Sequence, residues 1–277
     1  VNVCTVLSPA SGSHRSPQTL PGVALVMAIT LVSAVIAGCR HHDPGDREIL
    51  LVYAASSLTE AFQELEREFE KSHPLADISL VFSGSQVLRI QIEQGAPSDV
   101  LATANPQHME ILVESGLVEN PLVFARNELV LIVPLDNPAG IETFEDLPKA
   151  SRLVVGTDHV PVGKYTHLML DNAGKKLGTD FQQQVHSRVV SLENNVRLVR
   201  AKVELGVADA AIVYRTDAVI SDKVRSISIP SDINVQAVYF IGELTRSRHR
   251  KLAGDWITYT LSPAGQKILI RHGFVEV

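Results

Sequence analysis

From Glu48 onward, short runs of apolar residues alternate with stretches in which apolar positions recur every three or four residues. Runs of the first kind predict buried strands, at 49–54, 78–82, 99–104, 129–133, 153–156, 189–192, 209–213 and 235–241. Stretches of the second kind predict helices with one apolar face. The clearest follows the first strand, where Leu58, Ala61, Phe62, Leu65 and Phe69 are interleaved with acids and Arg67. Ser57 and Glu60 stand at the spacing of a capping box at its start. A second helix is expected over about 86–94. A third opens at Asn105-Pro106 and closes at Gly116, and a fourth places Val196, Val199 and Val203 on one face before Gly206. A C-terminal helix starts at Ser262-Pro263 and stops at Gly273. Strands alternating with helices predict an α/β fold with mostly parallel sheets.

The apolar run 129–133, ended by Pro134, is followed by fresh strand–helix units and reads as a crossing into a second lobe; 235–241 reads as the return. Lobe 1 is then discontinuous, residues 48–128 with 239–277, and lobe 2 spans 129–238. Two α/β lobes joined by two strands form a cleft, and a ligand in such a fold sits beyond the carboxyl ends of the strands, at helix starts.

Those positions carry a consistent chemistry. The strand 49–54 runs into Ser56-Ser57, and the strand 78–82 into Ser83-Gly84-Ser85. In the second lobe the equivalent places are taken by Val160-Pro161-Val162-Gly163, by Glu193-Asn194-Asn195-Val196 and by Tyr214. A helix start offers unpaired backbone N–H groups and the positive end of the helix dipole, so several converging with hydroxyls can hold an oxyanion without a charged side chain. Each residue also has a purely structural role open to it. Ser57 and Ser85 suit helix caps, Tyr214 a packed tyrosine, and Val162 and Val196 core positions.

Composition changes the picture mainly at the N-terminus. The chain has 277 residues, 45% apolar and 20% charged, enough for two ordinary lobes. Residues 1–38 contain no acid and an apolar run from Leu20 to Gly38, ending in Ile36-Ala37-Gly38-Cys39. This reads as a lipoprotein signal peptide, with Cys39 receiving lipid and 39–47 serving as a tether. The alternative is a single membrane anchor, since a run of about 19 apolar residues can just span a bilayer. With Cys4 removed and Cys39 lipidated, the mature chain has no thiol for a disulfide, a zinc site or a nucleophile. Cleavage removes one Arg and no acid, taking the net charge of −6 to about −7. Such a surface argues against nucleic acid, and any anion must be captured by local dipoles.

Other motifs are weak. Gly163-Lys164 lacks the upstream glycine and the following Ser or Thr of a phosphate loop, Tyr165 standing in that place. His41-His42 lies in the tether, and His159 and His167 have no acid or cysteine at metal spacing. No Gly-x-Ser-x-Gly elbow supports a serine hydrolase.

Taken in order, Ala54-Ala55-Ser56-Ser57-Leu58-Thr59, Phe82-Ser83-Gly84-Ser85, Gly95-Ala96-Pro97-Ser98-Asp99, His159-Val160-Pro161-Val162-Gly163, Ile212-Val213-Tyr214 and Gly273-Phe274 resemble the molybdate-binding proteins of bacterial ABC importers. The resemblance implies a two-lobed type II periplasmic binding protein fold with a ligand cleft between lobes. It implies a monomeric, non-enzymatic, lipid-anchored protein of the periplasm or the outer face of the cytoplasmic membrane, without cofactor. Such a protein captures molybdate or tungstate and delivers the anion to the membrane permease of an ABC importer. Carried over by motif, Ser57 and Ser85 would give hydroxyl and N–H, Val162 and Val196 an N–H each, and Tyr214 its phenol, with no direct metal ligand. The family usually has Ala where this chain has Val162. No acid stands among the five positions, so hydrogen phosphate would present an unpartnered O–H, at a cost of roughly 1–3 kcal/mol. Molybdate, tungstate and sulfate are left, and only the resemblance prefers the first two.

Overall fold

The computed structural model describes residues 47–277; the expected signal peptide, Cys39 and most of the tether lie outside them. In chain order the elements are β1 (Glu48–Ala55), a 3-10 turn (Ser56–Leu58), α1 (Thr59–Ser72), β2 (Ala76–Ser83), α2 (Ser85–Glu93), β3 (Val100–Thr103), α3 (Pro106–Glu114) and β4 (Val118–Pro134). After a second 3-10 segment (Phe144–Lys149) come β5 (Leu153–Gly156), α4 (Pro161–Leu177), α5 (Thr179–Ser187), β6 (Val189–Glu193), α6 (Val196–Glu204), β7 (Ala210–Tyr214), α7 (Arg215–Val219) and β8 (Val224–Ser228). The chain finishes with β9 (Gln236–Leu244), α8 (Arg250–Leu261) and α9 (Pro263–Arg271).

The strands order as β2-β1-β3-β9-β4-β7-β5-β6, with β8 also on β4. Around β1 and around β5 the pairing is parallel, as expected of strands joined through helices. β4 is the exception that joins the two regions. Its first part pairs antiparallel with β9 as far as Glu128↔Gln236, and from Leu129 onward it pairs with β7. The strand expected at 129–133 is therefore only the end of a 17-residue strand. Its first part carries Pro121 and alternating polar residues, and register shifts between Glu119 and Leu122 and between Val123 and Ala125 accommodate them. α5, α8 and β8 had no expectation in the sequence.

The expected apolar stripe of α1 is its buried face: Phe62, Leu65 and Phe69 have no exposed surface. Phe62 meets Phe124 and Trp256 at 5.8 Å between ring centroids, which ties α1 to β4 and α8. Burying each such ring contributes about 1.5–3 kcal/mol, so the start of α1 is rigidly placed.

The capping box expected from Ser57 and Glu60 does not form. α1 begins at Thr59 with Leu58 as N-cap and no side-chain cap bond. The reason is competition: Ser57 bonds the Tyr239 hydroxyl, and the Glu60 carboxylate bonds Arg197. Nor does Ser85 cap its helix, because Gly84 occupies that position.

Candidate functional site

Four helix starts face one another. The turn before α1 brings Ser57, α2 brings Ser85, α4 brings Val162 and α6 brings Val196; with Tyr214, at the end of β7, they line a single cavity. All five residues expected from the sequence are thus brought together, and all are at least 93% buried, Ser57 being the most exposed at 7%. The cavity is small, with space for one compact occupant. No Asp, Glu, Lys, Arg or His lines the cavity.

Each group is held in a state that can donate. Ser85 Oγ accepts the Ala104 N–H at 3.1 Å, which leaves the serine's own proton free. Ser57 Oγ lies 2.9 Å from the Tyr239 hydroxyl. The Tyr214 hydroxyl is buried without a hydrogen-bond partner, and burial raises its pKa well above the ordinary tyrosine value, so it keeps its proton. Its ring packs edge-on to Tyr239 at 5.8 Å between centroids, and the two neighbouring hydroxyls make no hydrogen bond of good geometry. Val162 and Val196 stand in the first turns of α4 and α6, where backbone N–H groups have no intrahelical acceptor. Asn195 caps α6, its Oδ1 accepting the Leu198 N–H, so the cap draws on a donor other than that of Val196. The larger residue at 162 is accommodated by Gly156: a Cβ there would come within 2.8 Å of Val162 Cγ1.

Several contacts among the described residues join the two sides beside the cavity. Gln86 Nε2 donates to Asn194 O at 2.7 Å, His108 Nε2 donates to His159 O at 3.0 Å, and Arg197 Nη1 reaches both Glu60 oxygens at 2.7 and 3.0 Å. Burial holds the His108 pKa below its ordinary value, and its Nδ1 is buried without a partner. Behind Tyr214, Asp217 is 1% exposed and neither carboxylate oxygen has a partner; desolvation pushes its pKa up to about 7, partly offset by Arg200 and Arg197. Sequence reading missed Tyr239, Asn127, Glu60 with Arg197, Gln86 and His108. A polar Asn127 between strand residues was the one signal available for any of them.

None of the three cavity serines, Ser56, Ser57 and Ser85, bonds a histidine, the general base that a serine nucleophile requires. Among the described residues no cluster of three or more His, Cys, Asp or Glu is gathered, and no helix is long and apolar enough to cross a membrane. Two halves that flank a small cavity lined by hydroxyls and helix starts are the arrangement of the type II periplasmic binding protein fold. The chain belongs to the bacterial extracellular solute-binding proteins, whose family model matches residues 50–275. It is 31% identical over 267 residues to the molybdate-binding protein ModA of Mycobacterium tuberculosis, covering 92% of this chain and 98% of that one. It is 29% identical over 258 residues to the putative ABC transporter substrate-binding lipoprotein YvgL of Bacillus subtilis, covering 91% and 96%. The solved substrate-binding domain of a putative molybdenum ABC transporter from Clostridium difficile superposes with a TM-score of 0.64 at 28% identity, covering 83% and 99%. These relatives are solute-binding proteins, not enzymes.

Proposed function

We propose that this protein captures molybdate or tungstate outside the cytoplasm and delivers it to the membrane permease of an ABC importer, held near the membrane as a monomer by lipid on Cys39. One observation carries the reading: Tyr214, whose buried hydroxyl keeps its proton and has no partner, lines one small cavity with Ser57, Ser85 and the first turns of α4 and α6. A tetrahedral oxyanion supplies acceptors for all of them at once. Backbone and hydroxyl donors replace its water shell, and the helix dipoles offset its charge. Hydrogen bonds to a charged partner contribute about 1.5–3 kcal/mol each, so a handful suffices for tight capture.

The binding cycle follows from the position of the donors. Ser57 and Ser85 belong to the part of the chain proposed as lobe 1 (48–128 with 239–277), Val162, Val196 and Tyr214 to lobe 2 (129–238). The anion can touch all of them only when the lobes are shut, and it favours that state by the difference in affinity. The names of the relatives support molybdate and, for YvgL, lipid anchoring. Sulfate is the second reading, favoured by the tightness of the cavity. Thermal melts with molybdate, tungstate, sulfate and phosphate test the assignment. Ligand at 100 times its Kd adds about 2.7 kcal/mol, which raises the midpoint by roughly 5–10 °C. A shift with sulfate alone would replace the ligand, and no shift with any of the four would remove the oxyanion reading.

A further inference from the structure

Ser57 can serve an anion only if its hydroxyl points its proton into the cavity, and the hydroxyl could equally well turn that proton to Tyr239. What decides between the two lies one layer further back. Asn127, on β4 with no exposed surface, accepts the Glu128 N–H through Oδ1 at 2.9 Å. That bond fixes the amide, so its Nδ2 faces Thr216 Oγ1 at 2.9 Å and the Tyr239 oxygen at 3.5 Å. An amide nitrogen only donates. Tyr239, also without exposed surface, has Ser57 Oγ at 2.9 Å as its one acceptor of good geometry among the described residues, the neighbouring Tyr214 hydroxyl making no such bond. Were Ser57 to donate to Tyr239 instead, the buried phenol proton would be left with the Asn127 N–H group and a poorly placed Tyr214 hydroxyl, an arrangement that loses a well-formed hydrogen bond. Tyr239 therefore donates to Ser57, and the Ser57 proton is left for the cavity.

We infer that Tyr239 and Asn127 are positioning residues, a one-way relay from the Asn127 amide through the Tyr239 hydroxyl that locks Ser57 as a hydrogen-bond donor and so commits this side of the site to ligand oxygens that carry no proton. The inference rests on the oxyanion reading of the cavity. It assigns ligand selectivity to two residues that touch no ligand. Ser85 reaches the same state by a different route, through the Ala104 N–H, so the relay acts on one serine alone.

The test is calorimetric titration of the full protein with molybdate at pH 7.5, in wild type, Tyr239→Phe, Ser57→Ala and the double variant. Tyr239→Phe keeps the ring and its edge-on contacts with Phe124 and Phe274. The expected result is a loss of about tenfold in affinity in Tyr239→Phe, and a smaller effect of Ser57→Ala in the Tyr239→Phe background than in wild type. A purely structural role would give additive losses. Asn127→Asp supplies a second measurement of the relay, read against Ser57→Ala in the same background. An acceptor at that place reverses the relay, turns the Ser57 lone pair to the cavity and abolishes binding, with most of that loss cancelled when Tyr239→Phe is added. Wild-type affinity in Tyr239→Phe, or strict additivity with Ser57→Ala, overturns the positioning role while leaving the oxyanion site intact. A wild-type protein that binds none of molybdate, tungstate and sulfate overturns both.

Discussion

Glu60, on the helix that begins beside Ser57, grips Arg197, on the helix that begins at Val196, with Arg197 Nη1 at 2.7 and 3.0 Å from the two carboxylate oxygens. The pair bridges the cleft at the rim of the cavity and is about one-third exposed on each side. Because it joins the two proposed lobes, opening of the cleft would break it, and the pair would favour closure whether or not a ligand is present. Partly exposed pairs contribute about 0.2–1 kcal/mol, and Arg197→Ala is expected to weaken oxyanion binding by roughly two- to fivefold. The loss should shrink at high salt, where titrations of wild type and variant converge.

Tyr214→Phe separates ligand binding from stability. An unpartnered buried hydroxyl costs about 1–3 kcal/mol, so its removal should leave the melting temperature of the ligand-free protein unchanged or raise it by a few degrees. The midpoint shift given by molybdate should fall sharply in the same variant. A lower midpoint without ligand would show that the hydroxyl is a structural group.

Gly84 marks how closely the two sides approach. A Cβ there would stand 2.7 Å from the Asn194 carbonyl oxygen across the cleft, and about as near the end of the flexible Gln86 side chain. The backbone at Gly84 has ordinary extended angles, so alanine brings no strain of its own. Overpacking of this kind costs about 1–3 kcal/mol, and Gly84→Ala is expected to reduce affinity about tenfold or more. X-ray scattering in saturating ligand should show a larger radius of gyration than in wild type.

Asp217 sets a pH dependence. Its pKa in the folded protein, about 7, lies above the ordinary value of 3.8, so the stability linked to it is complete below about pH 4 and is lost as pH rises through 7. Asp217→Asn should therefore gain in melting temperature relative to wild type between pH 5 and pH 8. Ionisation also places a negative charge behind Tyr214, so wild-type affinity for a dianion should decline above pH 7 while the variant stays flat. Equal pH profiles in the two proteins would contradict this account.

What could be read from the sequence was local. A strand running into Ser-Ser, or an Asn-Pro at a helix start, is a short signal that needs no knowledge of the partner; such signals marked the segments at the strand ends, and the family resemblance singled out Ser57, Ser85, Val162, Val196 and Tyr214 within them. Groups whose roles depend on distant partners were not legible. Tyr239 meets Ser57 across 182 residues of chain and Arg197 meets Glu60 across 137. The capping box failed for the same reason, since its two side chains found better partners far away. The first part of β4 was missed because Pro121 and its charged neighbours look like a loop until β9 is laid beside them.

β4 passes unbroken from one half of the molecule to the other, changing partners at residues 128 and 129. A hydrogen-bonded ribbon resists stretching but yields to bending and twist, so the halves can tilt apart yet cannot slide past each other. Each closing stroke then returns the four helix ends to the same alignment, much as a leaf spring guides a jaw. Fidelity of capture is in this sense a mechanical property of one continuous strand.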